Sequence, residues 1–203
     1  LRPRFGIVRA CEFIMKDAYS FHADEKSLDK TFNDFIGAYK KIFERVGLKA
    51  TMVEANSGMM GGSGSREFMV LNPAGEDRVL ICEKCDKAFN AELGKNECPC
   101  GGNLKEEKGI ELAHIFKLGS KYSDKFNLTF TDTDGKPKPV LMGCYGIGLD
   151  RLIGAAIEEN HDEAGIIWPK EIAPYDIYLI DLEGSKGQEI YDKLISDGKE
   201  ILY

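Results

Sequence analysis

The chain has 203 residues, of which 43% are hydrophobic and 30% charged, as suits an ordinary globular chain long enough for one domain and part of a second. No apolar run approaches membrane-spanning length and no signal peptide opens the chain. The formal net charge of −7 argues against a general nucleic-acid coat, and six cysteines at these spacings read as an intracellular metal site plus loose thiols rather than a disulfide framework.

Both ends, Leu1-Arg2-Pro3-Arg4 and Glu200-Ile201-Leu202-Tyr203, read as cuts through a larger protein. Arg2, Arg4 and Arg9 form a local basic patch in an opening loop. From Cys11, Glu12, Ile14 and Lys16 alternate with Phe13, Met15 and Asp17, which predicts a strand. An arginine, a carboxylate and an aromatic ring this close can bind a nucleotide: Arg9 meets phosphate, Glu12 accepts from an exocyclic amine and Phe13 stacks on the base. The same residues also fit a solvated strand of alternating charge.

Asp24 to Gly47 is an amphipathic helix, with Leu28, Phe32, Phe35, Ile36, Tyr39, Ile42 and Phe43 spaced by three and four. Asp24 or Ser27 caps its start and Gly47 stops it. Lys49 to Glu54 reads as a strand. A small-residue loop from Gly58 then enters a strand through Leu71 whose Arg66 and Glu67 form a candidate ion pair.

Val79 to Ile81 is a short strand leading to Cys82 and Cys85. After twelve intervening residues come Cys98 and Cys100, followed by Gly101 and Gly102. Two paired-cysteine knuckles at this spacing point to a closed, structural tetrahedral zinc site, although the second is Cys-x-Cys and four free thiols are the alternative. Along Gly109 to Gly119, Ile110, Leu112 and His114 alternate with Glu111, Ala113 and Ile115, which places Glu111 and His114 on opposite faces of a strand. Glu111 can face a magnesium ion that bridges phosphates. Lys121 to Asn127 is a short helical turn, and Leu128 to Thr131 with Pro139 to Met142 flank a hairpin turn.

Gly143, Gly146 and Gly148 read as a tight strand-to-helix turn that lets a ligand approach closely, with Arg151 in the first helical turn beside an anion-binding helix N-terminus. An ordinary turn with a surface arginine fits that stretch equally well. Past Trp168-Pro169 and Ala173-Pro174, a strand at Tyr175 to Leu182, a helix at Gly187 to Ser196 and a strand at Glu200 to Tyr203 predict a strand–helix–strand unit.

Taken together and in this order, these units resemble a class II aminoacyl-tRNA synthetase of the bacterial prolyl type. Arg9-Ala-Cys-Glu12-Phe13-Ile-Met-Lys16-Asp17-Ala-Tyr19-Ser-Phe21 resembles the second half of that family's motif 2. Gly61-Gly62-Ser63-x-Ser65-Arg66-Glu67-Phe68 resembles the loop and strand that follow. Glu111-x-x-His114-Ile-Phe116-x-Leu118-Gly119-x-Lys121-Tyr122-Ser123 resembles the prolyl-specific strand, and Gly143-Cys144-Tyr145-Gly146-Ile-Gly148-x-x-Arg151 resembles motif 3.

The resemblance implies an α+β fold, a mainly antiparallel sheet flanked by helices. It implies a catalytic domain over residues 1–172 and the start of an α/β anticodon-binding domain at 173–203, while the cysteine spacing predicts a zinc-ribbon-like insertion at 79–108. The implied reaction joins L-proline to ATP as prolyl-adenylate and passes it to tRNA(Pro). Carried over residue by residue, Arg9, Glu12, Phe13, Glu111, His114, Gly146, Gly148 and Arg151 bind ATP, with Glu12, Glu111 and Arg151 catalytic. His114, Phe116, Ser63, Ser65, Gly143 and Cys144 shape the proline site, and Arg2 and Arg4 touch tRNA. By their spacing rather than by the resemblance, Cys82, Cys85, Cys98 and Cys100 are expected to hold zinc, and the resemblance has magnesium accompany ATP. The resemblance further implies a cytoplasmic enzyme, away from membranes, that is a homodimer at full length. Motif 1 and the Arg-x-Glu of motif 2 are absent, so this stretch alone is not expected to activate proline. The short cysteine segment replaces a large editing insertion, so editing in cis is not expected. A non-catalytic synthetase-like module, stapled by zinc and binding tRNA or protein, is the alternative.

Overall fold

A computed structural model describes residues 3–182, 184 and 186–203. The chain divides into two compact units, Leu1–Glu159 and Asn160–Tyr203.

In the first unit, β1 (Met15–His22) is followed by α1 (Glu25–Arg45), β2 (Ala50–Glu54), β3 (Gly64–Leu71), β4 (Asp77–Cys82) and β5 (Ala88–Asn90). Then come β6 (Leu104–Gly119), a small hairpin of β7 (Thr129–Thr131) and β8 (Pro137–Pro139), β9 (Leu141–Gly148) and α2 (Leu149–Glu159). Seven strands form one sheet in the order β1-β9-β6-β3-β2-β5-β4. All its neighbours are antiparallel except β2 and β5, which run parallel. The long strand β6 also pairs through Leu104 to Gly109 with β4, so β6, β3, β2, β5 and β4 close a circuit. Strand β1 begins at Met15 rather than Cys11. The preceding residues form a 3-10 turn at Gly6–Val8 and an irregular stretch, because Asp150 Oδ2 accepts from the Ile14 amide at 2.6 Å and ties this segment to α2.

Helix α1 forms where its periodicity predicts. The Asp24 carboxylate accepts from the Ser27 amide at 2.8 Å, and the helix ends ahead of Gly47, whose φ is 75°. Its apolar face, Leu28, Phe32, Tyr39 and Phe43, is buried. Phe35 stacks on Tyr145 of β9 with centroids 3.7 Å apart, and Tyr39 and Phe43 tilt against Phe68 of β3 at 5.6 and 5.5 Å. Aromatic packing of this kind adds about 0.5–1.5 kcal/mol per pair beyond burial.

The glycine-rich stretch is not a turn. Gly143, Gly146 and Gly148 all lie inside β9, in the interior of the sheet, and α2 starts at once with Leu149. Their role is close approach rather than left-handed backbone. A Cβ on Gly143 would sit 2.1 Å from the Tyr145 hydroxyl and 2.7 Å from Ser20 Oγ, two groups that share a 2.9 Å hydrogen bond.

One irregularity in the sheet decides which side chains share a face. Across β3 and β6, Phe68 pairs with Ala113 but Met69 pairs with Glu111, so Leu112 is an extra residue on β6. This bulge resets the alternation. Glu111 and His114 therefore share a face instead of opposing one another as strict alternation predicts. Arg66 and Glu67 also differ from expectation. As neighbours on a strand they point to opposite faces, and Arg66 donates to the Ser65 carbonyl at 2.7 Å instead.

The second unit holds two short ladders. His161–Asp162 (β10) pairs antiparallel with Gly165–Ile166 (β11), and Ile177–Tyr178 (β12) pairs parallel with Ile201–Leu202 (β13). Between β12 and β13 lies α3 (Gly187–Ser196), giving the predicted strand–helix–strand order. The first strand is shorter than the predicted 175–182. The Asp181 carboxylate accepts from the Gly184 and Gly187 amides at 2.7 and 3.0 Å and bends the chain towards α3. Among the described residues, no helix is long and apolar enough to cross a membrane.

Candidate active site and cysteine knuckle

Strands β6 and β3 face the same side as a row of polar groups. His114 pairs directly with Glu67, and Phe116 with Ser65. His114 Nε2 lies 2.5 Å from Ser65 Oγ, and its ring stacks on Phe116 at 3.9 Å. His114 Nδ1 lies 3.1 Å from Glu111 Oε1 and 3.5 Å from Glu67 Oε1. With the Glu111 carboxylate 3.1 Å from Nδ1, that nitrogen carries the proton and donates.

Arg151 enters from the first turn of α2. Its Nη1 donates to Glu111 Oε2 at 2.8 Å and to the Glu111 carbonyl at 2.9 Å. Glu111 thus spends one oxygen on the histidine and the other on the arginine. Burial pushes the Glu111 carboxyl up, but the His114 N–H and the Arg151 guanidinium outweigh it and hold the group below its usual range.

A cavity of about 160 Å³ opens beside this cluster, lined by Val8, Arg9, Phe13, Glu111, His114, Gly148 and Arg151 among others. The predicted nucleotide residues Arg9, Phe13, Glu111, His114, Gly148 and Arg151 therefore converge on one hollow. Phe13 leaves half its surface open, at 50% exposure. Glu12 is exposed and lies outside the lining, and Gly146 lies in β9 opposite Asp17 and His114. Of the predicted proline residues, Ser65, His114 and Phe116 are joined as described. Cys144 pairs with Phe116 across β6 and β9 and is buried with it and Leu118. Gly143 pairs with Ser20 on one side and Lys117 on the other. Ser63 is exposed and docks its amide on the Lys117 carbonyl at 3.0 Å.

Of the basic patch, Arg9 makes a 2.6 Å ion pair with Glu76, and Arg4 reaches the same carboxylate at 3.9 Å. Arg4, Arg9, Glu76 and Lys108 line a second cavity of about 540 Å³. Arg2 lies outside the described residues.

The four cysteine thiols converge. Neighbouring Sγ atoms are 3.4–3.6 Å apart, and all four lie within 4.8 Å of one another. Tetrahedral bonds of 2.3 Å would separate the sulfurs by roughly 3.8 Å, so the donor set fits zinc. The Lys84 amide donates to Cys82 Sγ at 3.4 Å, the knuckle contact expected of a thiolate. Desolvation pushes Cys82 up, yet the Lys84 and Cys85 amides outweigh it and bring the thiol down to about 6. Gly102 is required here, since a Cβ would fall 2.6 Å from Cys82 Sγ.

Two residues of this region, Asn90 and Glu76, escape sequence reading, and Glu67 has other partners than the sequence suggests. Asn90 lies on β5, too short to show a pattern, and donates to Glu67 Oε2 at 2.9 Å. Glu67 is visible in the sequence as a candidate partner of Arg66, whereas its partners here are Asn90 and His114. Glu76 carries no local signal.

The comparisons with known proteins agree with this architecture. The family model described as tRNA synthetase class II core domain (G, H, P, S and T) matches residues 2–160, and the chain belongs to that family. The chain is 40% identical to the proline–tRNA ligase of Sulfurimonas denitrificans, over 100% of this chain and 53% of that protein. It is 41% identical to the probable mitochondrial proline–tRNA ligase of Rattus norvegicus, over 99% of this chain and 44% of that protein. The chain thus spans about half the length of these curated relatives. A solved structure of Giardia lamblia prolyl-tRNA synthetase in complex with prolyl-adenylate shares the fold, with a TM-score of 0.72 at 18% identity, over 97% of this chain and 36% of that one.

Glu67 generates a pH prediction. Burial raises its carboxyl from 4.5 to about 7, against the lowering effects of Asn90 and His114. The folded chain therefore keeps a proton that the unfolded chain releases. That contribution is complete below the unfolded value and is lost as pH rises through the folded one. Glu67→Gln should gain stability relative to the parent chain between pH 5 and pH 8, by about 2–3 kcal/mol. Urea unfolding at both pH values measures this, and parallel pH profiles would contradict it.

Proposed function

We propose that this chain carries the adenylate-forming centre of a prolyl-tRNA synthetase, joining L-proline to ATP and passing the prolyl group to tRNA(Pro). The observation that carries this reading is the convergence of Phe13, Arg151, Glu111 and His114 on one hollow, with Ser65 and Phe116 against the histidine. The curated relatives' names support proline as the amino acid.

In this reading the adenine lies against Phe13, with Arg151 at its other face and near the triphosphate. Glu12 accepts from the exocyclic amine, and Arg9 exchanges Glu76 for phosphate. Gly146 and Gly148 keep the floor of the site flat. Proline sits towards Ser65, His114 and Phe116, with Cys144, Gly143 and the Ser63 loop behind. The carboxylate of proline attacks the α-phosphorus and pyrophosphate leaves, so no side chain needs to act as nucleophile. The protein supplies alignment and positive charge. Glu111 has both oxygens committed to Arg151 and His114, so magnesium arrives with ATP as part of the substrate. Arg4 and Arg2 meet the tRNA backbone. The intact enzyme works as a homodimer in the cytoplasm.

Zinc, when bound, supplies a rigid closed tetrahedron for Cys82, Cys85, Cys98 and Cys100 and takes no part in the reaction. Elemental analysis of protein prepared without chelators should find close to one zinc per chain. A value near zero would remove the metal from the account.

Proline-dependent exchange of pyrophosphate into ATP by the intact protein tests the catalytic reading. Exchange with proline, lost in Arg151→Ala by about 100-fold or more, is expected. No exchange with proline would favour the non-catalytic tRNA- or protein-binding module.

A further inference from the structure

We infer that Asn90 and Glu67 are positioning residues that tie the cysteine knuckle to the imidazole of His114. Strand β5 lies between the two cysteine pairs in sequence and is held by β4 on one side and β2 on the other. Phe89 packs in one buried cluster with Cys82 and Cys98, flanked by Leu80, Leu93 and Leu104. The next residue, Asn90, is buried at 7% exposure and uses both ends of its amide. Its Oδ1 accepts from the Glu92 amide at 3.0 Å, which opens the 3-10 turn Ala91–Leu93 on the way to Cys98. Its Nδ2 donates to Glu67 Oε2 at 2.9 Å. The other oxygen of Glu67 lies 3.5 Å from His114 Nδ1.

The chain of contacts is therefore short, a hydrogen bond from Asn90 to Glu67 followed by a 3.5 Å ion contact from Glu67 to His114. Above about pH 7, where Glu67 is ionised, moving β5 moves the Asn90 amide, and the buried carboxylate then loses its amide donor. An ion left without its partner in a buried site must move or take up a proton. Either change alters the charge facing His114 Nδ1, and with it the preference for a proton on that nitrogen. Glu111 alone then faces Nδ1, at 3.1 Å, and His114 Nε2 is held less firmly as the acceptor towards Ser65. In this arrangement the knuckle acts at a distance, by setting the tautomer of a histidine that lines the candidate active site. The link rests on the proposed function only for what His114 serves, since the imidazole can be observed without proline, ATP or tRNA.

Nitrogen-15 NMR of the histidine rings of the full chain tests it. There are three histidines, and His22 serves as an internal reference. Its two ring nitrogens are held 2.8 Å from Ser27 and from Ser20, away from this relay. With zinc bound, His114 is expected to show one dominant Nδ1–H pattern. Asn90→Ala, and separately Glu67→Gln, should replace it by an averaged pattern while His22 stays as it was. Glu67→Gln preserves size and leaves Asn90 an acceptor, so it reads the relay even where Asn90→Ala fails to fold. Removing zinc with a chelator should shift His114 in the same direction, and adding zinc back should restore it. An unchanged His114 pattern in Glu67→Gln, or on removal of zinc, would overturn the inference. Loss of the His22 pattern together with that of His114 on zinc removal would overturn it too, because the knuckle would then hold the whole fold rather than this one ring. Pyrophosphate exchange is a separate readout, so a failed relay and a failed catalytic assignment remain distinguishable.

Discussion

Everything in the candidate site depends on how one carboxylate is shared. Glu111 gives one oxygen to His114 of its own strand and the other to Arg151 of α2. Two charge-assisted hydrogen bonds offset the cost of taking the carboxylate out of water. In return, two groups from different elements are fixed relative to one another, at the boundary between the nucleotide end and the amino-acid end of the proposed site. That sharing exists only because Leu112 is bulged. Without the extra residue, Glu111 would face the opposite side from His114.

The rest of the sheet keeps that geometry in place. Helix α1 lays its aromatic face on β9 and β3, with Phe35 stacked on Tyr145 and with Tyr39 and Phe43 against Phe68. Gly143 allows Tyr145 to fold its hydroxyl back to Ser20, which a side chain there would prevent. Asp150 and Leu149 pin the start of α2 to Ile14, so Arg151 and Phe13 are carried to the same hollow by contacts one or two residues away. On the far side, the closed circuit of β6, β3, β2, β5 and β4 links the cysteine segment to the same long strand.

Helix α1, the α3 helix and the cysteine pairs are legible in the sequence because each carries a long or rigid pattern: apolar spacing over six turns, a cap at Asp24, fixed cysteine intervals. The site residues are recognisable only through a family resemblance across four separate segments, since a glutamate three residues from a histidine says little alone. The bulge at Leu112 is invisible. It falls within the run Ile110 to Phe116, where an inserted apolar residue leaves no break in pattern. Glycines in β9 suggest a turn, because glycine is common in turns, whereas here Gly143 makes room for a tyrosine hydroxyl. Asn90 escapes because β5 is three residues long, and Glu67 because its partners lie 23 and 47 residues away in sequence.

The central claim is that Glu111 organises both ends of the site at once. Separate measurement of ATP and L-proline affinity in the intact protein carrying Glu111→Gln tests it most directly. Both affinities should fall, each by about tenfold or more, as expected when a charged hydrogen-bond partner is lost. Weakened ATP binding with proline affinity unchanged would contradict the shared role and reduce Glu111 to a partner of Arg151 alone.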